Sequence, residues 1–230
     1  MTNGAALITG GGSGIGAACA TEFFRRGRPI VIVGRTASRL KETARGLDSA
    51  RVLALAGDVG DERFARRAFA AARKRFGAVD ILVNNAAVLV KKSFLATTAV
   101  EWDVVMRTNV RGPFLFSREF LGAPGRVIVN ISSLGGVPGT TKFPGLAAYT
   151  VSKYGIAGLT AALAVEARPL GVAVFCVAPG AVDTAMLRKA APGLKAGAEP
   201  RDIARIVADL AESASSDLLS GAVIPLDTNR

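Results

Sequence analysis

The chain has 230 residues, half of them hydrophobic, with no histidine and two isolated cysteines, Cys19 and Cys176, so we expect no metal site and no His-dependent nucleophile. Its formal charge is +11, but the basic residues are scattered through alanine-rich helical segments, which argues against nucleic acid as a partner. No apolar run reaches the eighteen residues of a membrane span, and residues 1–4 lack the features of a signal peptide. We therefore expect a cytoplasmic protein that does not enter a membrane.

Seven short apolar runs, rich in Val, Ile and Leu, alternate with longer helical patterns along the whole chain. The runs are Ala5–Ile8, Ile30–Val33, Val52–Leu55, Ile81–Val83, Val127–Ile131, Val172–Val177 and Ala222–Leu226. Such runs are typical of strands buried on both faces of a parallel sheet. Helices are predicted at 15–26, 36–46, 61–76, 100–120, 148–168 and 201–213. This alternation predicts one α/β domain over residues 1–230, with a Rossmann-like, doubly wound parallel sheet of about seven strands flanked by helices.

A glycine-rich segment, Thr9-Gly10-Gly11-Gly12-Ser13-Gly14-Ile15-Gly16, follows the first predicted strand and leads into a helix. Glycines permit a tight turn and a close backbone approach to a pyrophosphate, while the helix N-terminus offers free N–H groups. The spacing is G-x-x-x-G-x-G rather than the G-x-G-x-x-G of many dinucleotide-binding domains. The segment therefore predicts a dinucleotide site.

The end of the second predicted strand indicates which dinucleotide binds. An acidic residue there binds the ribose hydroxyls of NAD, whereas an arginine suits the 2′-phosphate of NADP. In this chain Arg35 follows Gly34, and no acidic residue occurs until Glu42. A guanidinium can pair with a phosphate and stack on adenine. We therefore expect NADP(H) to be preferred over NAD(H).

Tyr149 and Lys153 lie four residues apart in a predicted helix, so their side chains share one face. An ammonium beside a phenol stabilises the phenolate and lowers the tyrosine pKa from its ordinary value near ~10. Alone, this spacing is a weak indication, because a solvated helix face produces it as well. It gains weight from the dinucleotide site that the rest of the chain predicts.

Several motifs together resemble those of the short-chain dehydrogenase/reductase family in order and approximate spacing, along nearly the whole chain. They are Thr9 to Gly16, Asn84-Asn85-Ala86-Ala87, Asn109, Ser133, Tyr149 with Lys153, and Pro179-Gly180. The resemblance implies that Tyr149 exchanges a proton with the substrate oxygen and that Ser133 polarises that oxygen. It implies that Lys153 holds the nicotinamide ribose and lowers the tyrosine pKa. Asn109 matches an asparagine that bends its helix and anchors a water leading to the lysine.

The resemblance also implies a set of cofactor-binding residues. They are Gly10, Ser13, Gly14, Ile15, Gly16, Arg35, Asp58, Val59, Asn85, Ala86, Tyr149, Lys153, Pro179, Gly180, Val182 and Thr184. Within this set, Asp58 and Val59 match the adenine contact, and the segment 179–184 matches the loop that receives the nicotinamide end. Asn84 and Asn85 could equally close a strand-to-loop turn. A structural role is expected for Ser132.

A short lid at about 185–199 predicts a comparatively open substrate pocket. Its expected lining is apolar: Leu134, Val137, Phe143, Val182, Met186 and Leu187, although each could equally pack in the core. Arg188, Lys189 and Lys195 could attract an anionic thioester, or could form an ordinary solvated face of the lid.

The expected function is that of an NADP(H)-dependent oxidoreductase, a carbonyl reductase or alcohol dehydrogenase acting on a small-molecule carbonyl or alcohol. A 3-oxoacyl-thioester reductase of the fatty-acid type is the specific alternative. A non-catalytic, cofactor-sensing protein is a rival of another class, but such relatives usually lose the tyrosine, lysine or serine that this chain keeps. The resemblance further implies a homo-oligomer, a tetramer or dimer that packs through helices 100–120 and 148–168.

Overall fold

The computed structural model describes residues 4–213 and 216–228. The strands are β1 Ala5–Thr9, β2 Ile30–Gly34, β3 Val52–Ala56, β4 Val79–Asn84, β5 Val127–Ile131, β6 Ala173–Pro179 and β7 Val223–Leu226. The α-helices are α1 Gly14–Arg25, α2 Ala37–Ala44, α3 Glu62–Phe76, α4 Ala99–Met106, α5 Gly112–Leu121, α6 Ala147–Ala167, α7 Ala185–Ala190 and α8 Pro200–Glu212. The described residues do not include 1–3, which belong to the segment that was compared with a signal peptide. They also do not include 229 and 230 at the C-terminus.

The seven strands form one sheet in the order β3-β2-β1-β4-β5-β6-β7, and every neighbouring pair is parallel. The order reverses between β1 and β4, so the loops that follow these two strands diverge and leave a crevice at the carboxyl edge of the sheet. The predicted Rossmann-like, doubly wound sheet is therefore confirmed, and its topology places the ligand crevice beside the glycine-rich segment.

Apolar side chains on both faces of the sheet are buried under helices. On one face, Ile8 and Ile32 pack with Phe23 of α1 and Val207 of α8. On the other face, strand residues such as Leu7 pack with phenylalanines and alanines of α3, α5 and α6. A strand covered on both sides has no polar face, which explains why the apolar runs in the sequence do not alternate.

The predicted helix at 100–120 is present but interrupted. A π-helical turn, Arg107–Arg111, separates α4 from α5. The start of α4 follows a capping box, in which Thr98 Oγ1 accepts from the N–H of Glu101 at 3.2 Å and the carboxylate of Glu101 accepts from the N–H of Thr98 at 3.0 Å. The period of apolar residues predicts a helix here but does not distinguish an α-turn from a π-turn.

The lid contains a helix that was not predicted, α7, because six residues are too few for a clear helical period. The two ends of the lid are joined by the β-bridge between Val182 and Ala198 and by the hydrogen bond from the N–H of Asp183 to the carbonyl of Ala198. Within the described part of the chain, no helix is both long enough and apolar enough to cross a membrane.

Candidate active site

The glycine-rich segment forms a turn that other residues could not make. Gly10 and Gly14 have positive φ angles of 68° and 52°. A Cβ on Gly16 would lie 2.3 Å from the carbonyl oxygen of Gly10. Ser13 stands at the N-cap of α1, and its hydroxyl makes no capping hydrogen bond. The result is a tight backbone cradle at a helix N-terminus, which is suited to a pyrophosphate.

Asn85 fastens the loop after β4 to this cradle. Its Nδ2 donates to the carbonyl of Thr9 at 3.0 Å, and Thr9 Oγ1 accepts from the N–H groups of Asn85 and Ala86 at 2.9 and 3.0 Å. Asn84 is buried instead, and its Nδ2 donates to Asn130 Oδ1 at 2.9 Å. Asn84 therefore joins two strands, while Asn85 supports the cradle.

A pocket of about 150 Å³ lies beside the cradle at the ends of β1 to β4. Six residues that the resemblance places on the cofactor line it: Gly10, Ser13, Arg35, Asp58, Val59 and Ala86. The structure thus brings together residues from four separate loops. We call this space the adenosine pocket, after the part of the cofactor that the resemblance assigns to it.

Arg39 also lines the adenosine pocket but was not predicted. It lies in the first turn of α2, four residues after Arg35, and its Cβ is 3.1 Å from where a Cβ on Gly12 would stand. Within the described residues, neither guanidinium forms an ion pair with an acidic side chain. By contrast, Asp58 of the same pocket is paired, because Arg107 Nη2 lies 3.1 Å from its Oδ2. A second arginine at the start of the helix that follows Arg35 was the signal that could have identified Arg39.

Tyr149, Lys153 and Ser133 meet where β5 ends against the first turns of α6. The Lys153 side chain is buried. Its Nζ donates to the carbonyl of Ile131 at 2.8 Å and lies 5.5 Å from the centroid of the Tyr149 ring. The Ser133 side chain is close enough to the Tyr149 phenol to affect its pKa. Ser132 has a structural contact, since its Oγ donates to the carbonyl of Lys153 at 2.9 Å.

The pKa of Tyr149 is raised, whereas the sequence predicts that it is lowered. Burial raises it to about 12, and the Ser133 side chain opposes this rise. Burial also lowers the pKa of Lys153 to about 8. The predicted lowering of the tyrosine pKa by the lysine is therefore wrong for the chain alone. The physical reason is the loss of solvation at the phenol; Lys153 is not among the causes of the shift, and its ammonium donates to the carbonyl of Ile131 instead.

Asn109 lies within the π-helical turn and is fully engaged by protein atoms. Its Oδ1 accepts from the N–H of Val88 at 2.8 Å, and its Nδ2 donates to the carbonyl of Val88 and to Ser152 Oγ, both at 2.9 Å. Ser152 Oγ in turn donates to the carbonyl of Tyr149 at 2.7 Å. Asn109 thus connects the π-helical turn, the loop after β4 and the helix that carries the tyrosine.

The loop after β6 reaches the cradle from the opposite side. Thr184 Oγ1 caps α7 by accepting from the N–H of Leu187 at 3.2 Å, and its methyl carbon is 3.2 Å from where a Cβ on Gly14 would stand. Pro179 ends β6, and the N–H of Gly180 donates to the carbonyl of Leu226 at 3.0 Å. The side chain of Val182, by contrast, packs in the core.

The sequence model of the short chain dehydrogenase family matches residues 4–195. The chain belongs to the short-chain dehydrogenase/reductase family. It is therefore an oxidoreductase that acts on alcohol or ketone substrates with a nicotinamide cofactor. The family assignment made from the motifs is confirmed.

This short-chain dehydrogenase is similar in sequence to characterised relatives and in structure to solved members of the family, of which we give two relatives and one structure. The chain is 42% identical to 2-(R)-hydroxypropyl-CoM dehydrogenase of Xanthobacter autotrophicus, over 79% of this chain and 75% of that protein. It is 34% identical to a (2S)-[(R)-hydroxy(phenyl)methyl]succinyl-CoA dehydrogenase subunit of Thauera aromatica, over 97% and 95%. A 3-ketoacyl-(acyl-carrier-protein) reductase of Brucella melitensis, solved with NADH, superposes with a TM-score of 0.89 at 31% identity, over 100% and 98%.

The predicted substrate residues of this short-chain dehydrogenase lie on two segments, the loop after β5 and helix α7. Leu134 follows Ser133 and is half-buried, whereas Phe143 is 58% exposed. In α7, Met186 is 36% exposed and Leu187 is half-buried. These side chains are available to a ligand, and the lid leaves them partly open to solvent.

Two lysines that were not predicted tie these segments to the loop after β4. Lys91 Nζ donates to the carbonyl of Ala190 at the end of α7 at 2.6 Å, and the N–H of Lys92 donates to the carbonyl of Gly145 at 3.0 Å. In the lid, Arg188 pairs with Asp183. Its charge is therefore already neutralised, which weakens the idea that it attracts an anionic thioester.

Proposed function

We propose that this short-chain dehydrogenase is an NADP(H)-dependent carbonyl reductase or alcohol dehydrogenase with Tyr149 as general acid and base. The observation that carries the proposal is the meeting of Tyr149, Ser133 and Lys153 at the carboxyl edge of the sheet, beside the glycine cradle. When bound, the nicotinamide would supply or accept the hydride.

The groups of the chain are suited to proton donation. A Tyr149 pKa raised to about 12 keeps the phenol protonated at neutral pH, as reduction of a carbonyl requires. Ser133 is anchored by the N–H of Gly135, which donates to its Oγ at 3.2 Å, and its hydroxyl can orient the carbonyl oxygen towards the phenol. Lys153, with a pKa of about 8, is mainly charged at pH 7 and stabilises the phenolate that forms. These are the protonation states that reduction of a carbonyl requires of the two side chains.

The preference for NADP(H) is supported by the charges of the adenosine pocket. Arg35 and Arg39 present two guanidinium groups, while the carboxylate of Asp58 is paired with Arg107. Such a pocket attracts a 2′-phosphate, because charge-assisted hydrogen bonds from arginine to phosphate are among the strongest in proteins. The Brucella relative was solved with NADH, so the family alone does not select the dinucleotide and the preference needs its own test.

A 3-oxoacyl-thioester reductase remains the second candidate. It is favoured by the similarity to the Brucella 3-ketoacyl reductase and by the exposed apolar side chains of Phe143 and Met186, on which an acyl chain could lie. Turnover of 3-oxoacyl thioesters at a much higher kcat/KM than of small ketones would select this candidate.

We also propose that residues 1–230 form one cytoplasmic domain, with the lid at 185–199, and that copies associate as a dimer or tetramer. On α4 and α5, Val100, Val104 and Phe114 are exposed around a groove of about 710 Å³. The adjacent helix α6 exposes Val151 and Val165. Apolar faces of this kind are typical of association surfaces. Sedimentation of the purified protein as a monomer at micromolar concentration would contradict the oligomer.

The decisive experiment measures oxidation of NADPH and of NADH against 3-oxoacyl thioesters, diketones, simple ketones and sugars. Tyr149→Phe is expected to lower kcat by about 10²–10⁴-fold with NADPH binding retained. Tyr154→Phe is the matched control, because Tyr154 is the other tyrosine and its hydroxyl donates to the carbonyl of Val137. A Tyr149→Phe variant as active as the unmodified protein would refute the mechanism. Tight NADPH binding without turnover across the panel would favour the cofactor-sensing role.

A further inference from the structure

The π-helical turn lies between the adenosine pocket and the catalytic residues. Its residue Thr108 lines the adenosine pocket, and the next residue, Asn109, bonds to Val88 and Ser152. One short turn therefore contacts both sites. Turns of this type are rare and occur frequently at functional sites.

Arg107, the first residue of the turn, is attached to the wall of the adenosine pocket. Its Nη2 lies 3.1 Å from Asp58 Oδ2, while Asp58 Oδ1 accepts from the N–H of Gly60 at 2.9 Å. The stem of Arg107 also packs on Gly60, since a Cβ there would lie 2.6 Å from Arg107 Cγ. The ion pair and the packing hold the guanidinium and the carboxylate in one geometry.

The other end of the turn touches the same wall. A Cβ on Gly112, which directly follows the turn, would lie 2.9 Å from Val59 Cγ2. The segment 58–60 therefore contacts both ends of the turn. A ligand that contacts Asp58 and Val59 would therefore touch residues that are in contact with both ends of the turn.

The ion pair contributes little to overall stability. The side chains of Arg107 and Asp58 are 54% and 40% exposed, and exposed ion pairs contribute only about 0–1 kcal/mol. We therefore attribute to this ion pair a role in the position of Arg107 relative to Asp58 rather than a role in stability.

We propose that Arg107 is a positioning residue that couples occupation of the adenosine pocket to the placement of Asn109 and, through Ser152, of Tyr149. The adenosine half of a dinucleotide, by contacting Asp58, restrains the turn before the nicotinamide end reacts. The activity part of this inference rests on the proposed function, whereas the coupling itself concerns only the binding of an adenosine phosphate.

The test compares Arg107→Gln with Arg111→Gln, which removes the same charge from the same turn at an exposed position away from Asp58. The probe is adenosine 2′,5′-bisphosphate, which fills the adenosine half only. Trp102 is the single tryptophan of the chain, lies in α4 five residues before Arg107, and does not line the adenosine pocket. Its fluorescence therefore reports on the helix that leads into the turn.

In the unmodified protein and in Arg111→Gln, the bisphosphate is expected to change Trp102 fluorescence. In Arg107→Gln the bisphosphate is expected to bind, by calorimetry, without that change. At saturating NADPH the kcat of Arg107→Gln should fall about two- to five-fold relative to Arg111→Gln, the range an exposed ion pair can supply, with Tm and oligomeric state equal. Arg107→Lys should restore part of the kcat.

Three results would overturn the inference. Arg107→Gln and Arg111→Gln could respond alike, Arg107→Gln could raise only the KM for NADPH, or the unmodified protein could bind the bisphosphate with no Trp102 response. If the unmodified protein bound the bisphosphate but reduced no carbonyl, the proposed function would fail, and the fluorescence comparison would still decide the coupling.

Discussion

The cofactor side and the substrate side of this molecule are built in different ways. On the cofactor side, short loops directly follow buried strands, and contacts such as Asn85 to Thr9 and Gly16 to Gly10 leave room for only one residue type. On the substrate side, longer segments leave Phe143 and Leu194 at least half exposed. The comparison teaches that close backbone contacts fix the residues of the cofactor site, whereas partly exposed side chains are free to vary with the substrate.

Among the substitutions that test this comparison, the largest expected effect is at Lys153, where the two sides meet. Lys153→Met is expected to lower kcat by about 10²-fold or more, because the phenolate of Tyr149 loses its neighbouring cation. At the same time the free energy of unfolding at pH 7 should be unchanged or higher by about 1–2 kcal/mol, since a buried ammonium with one protein partner is removed. Equilibrium denaturation with urea measures this. Lys189→Met, in the exposed lid, is the control, and a large loss of stability only in Lys153→Met would contradict the expectation.

The pH dependence of stability follows from the same group. The folded-state pKa of Lys153 is lowered from 10.5 to about 8, so between these values the unfolded chain binds the proton that the folded chain releases. The free energy of unfolding of the unmodified protein therefore contains a contribution that rises from pH 8 to about pH 10. Lys153→Met should lack this contribution, and parallel curves for the two proteins would refute it.

Next in size is a test of the glycine cradle. Gly16→Ala is expected to destabilise the fold by about 1–3 kcal/mol through overpacking against Gly10 and Asn85, and to weaken NADPH binding. Gly158 in α6 is the matched control, because a Cβ there meets no atom within 4 Å. Gly158→Ala should stabilise the protein by about 0.5–1 kcal/mol. Thermal unfolding and NADPH titration measure both, and equal effects of the two substitutions would contradict the close contact.

A smaller effect is expected at the adenosine pocket. Arg35→Asp should shift the ratio of kcat/KM for NADPH over NADH by about 10–100-fold towards NADH, the value of a lost charge-assisted hydrogen bond. Arg39→Asp should shift it in the same direction by less. Arg45→Asp, on the exposed end of α2 outside the pocket, should leave the ratio unchanged. Unmodified protein that uses NADH as well as NADPH would show that the arginines do not select the cofactor.

The smallest expected effect is on the substrate side. Phe143→Ala should change the KM for the carbonyl substrate several-fold, while the free energy of unfolding changes by less than about 0.5 kcal/mol. Leu170→Ala is the control, because Leu170 is similarly exposed but lies just before the amino end of β6, away from the site. Steady-state kinetics distinguishes them, and an unchanged KM in Phe143→Ala would remove this residue from the pocket.

Much of the fold could be predicted from the sequence. The seven apolar runs coincide with the seven strands to within about two residues, because a parallel sheet buried on both faces needs continuous Val, Ile and Leu. The cradle could be predicted as well, since its glycines are required by positive φ angles and close backbone contacts. These features depend on neighbours in sequence, and the chain by itself determined them.

Other features were decided only by the tertiary structure. The pairing of Arg107 with Asp58 joins residues 49 positions apart, and the place of Arg39 beside Gly12 depends on how α2 packs against the cradle. The raised pKa of Tyr149 has the same origin, because solvation is lost to every atom packed around the phenol. Burial and long-range charge are sums over the whole fold, so no local pattern of residues could have contained them.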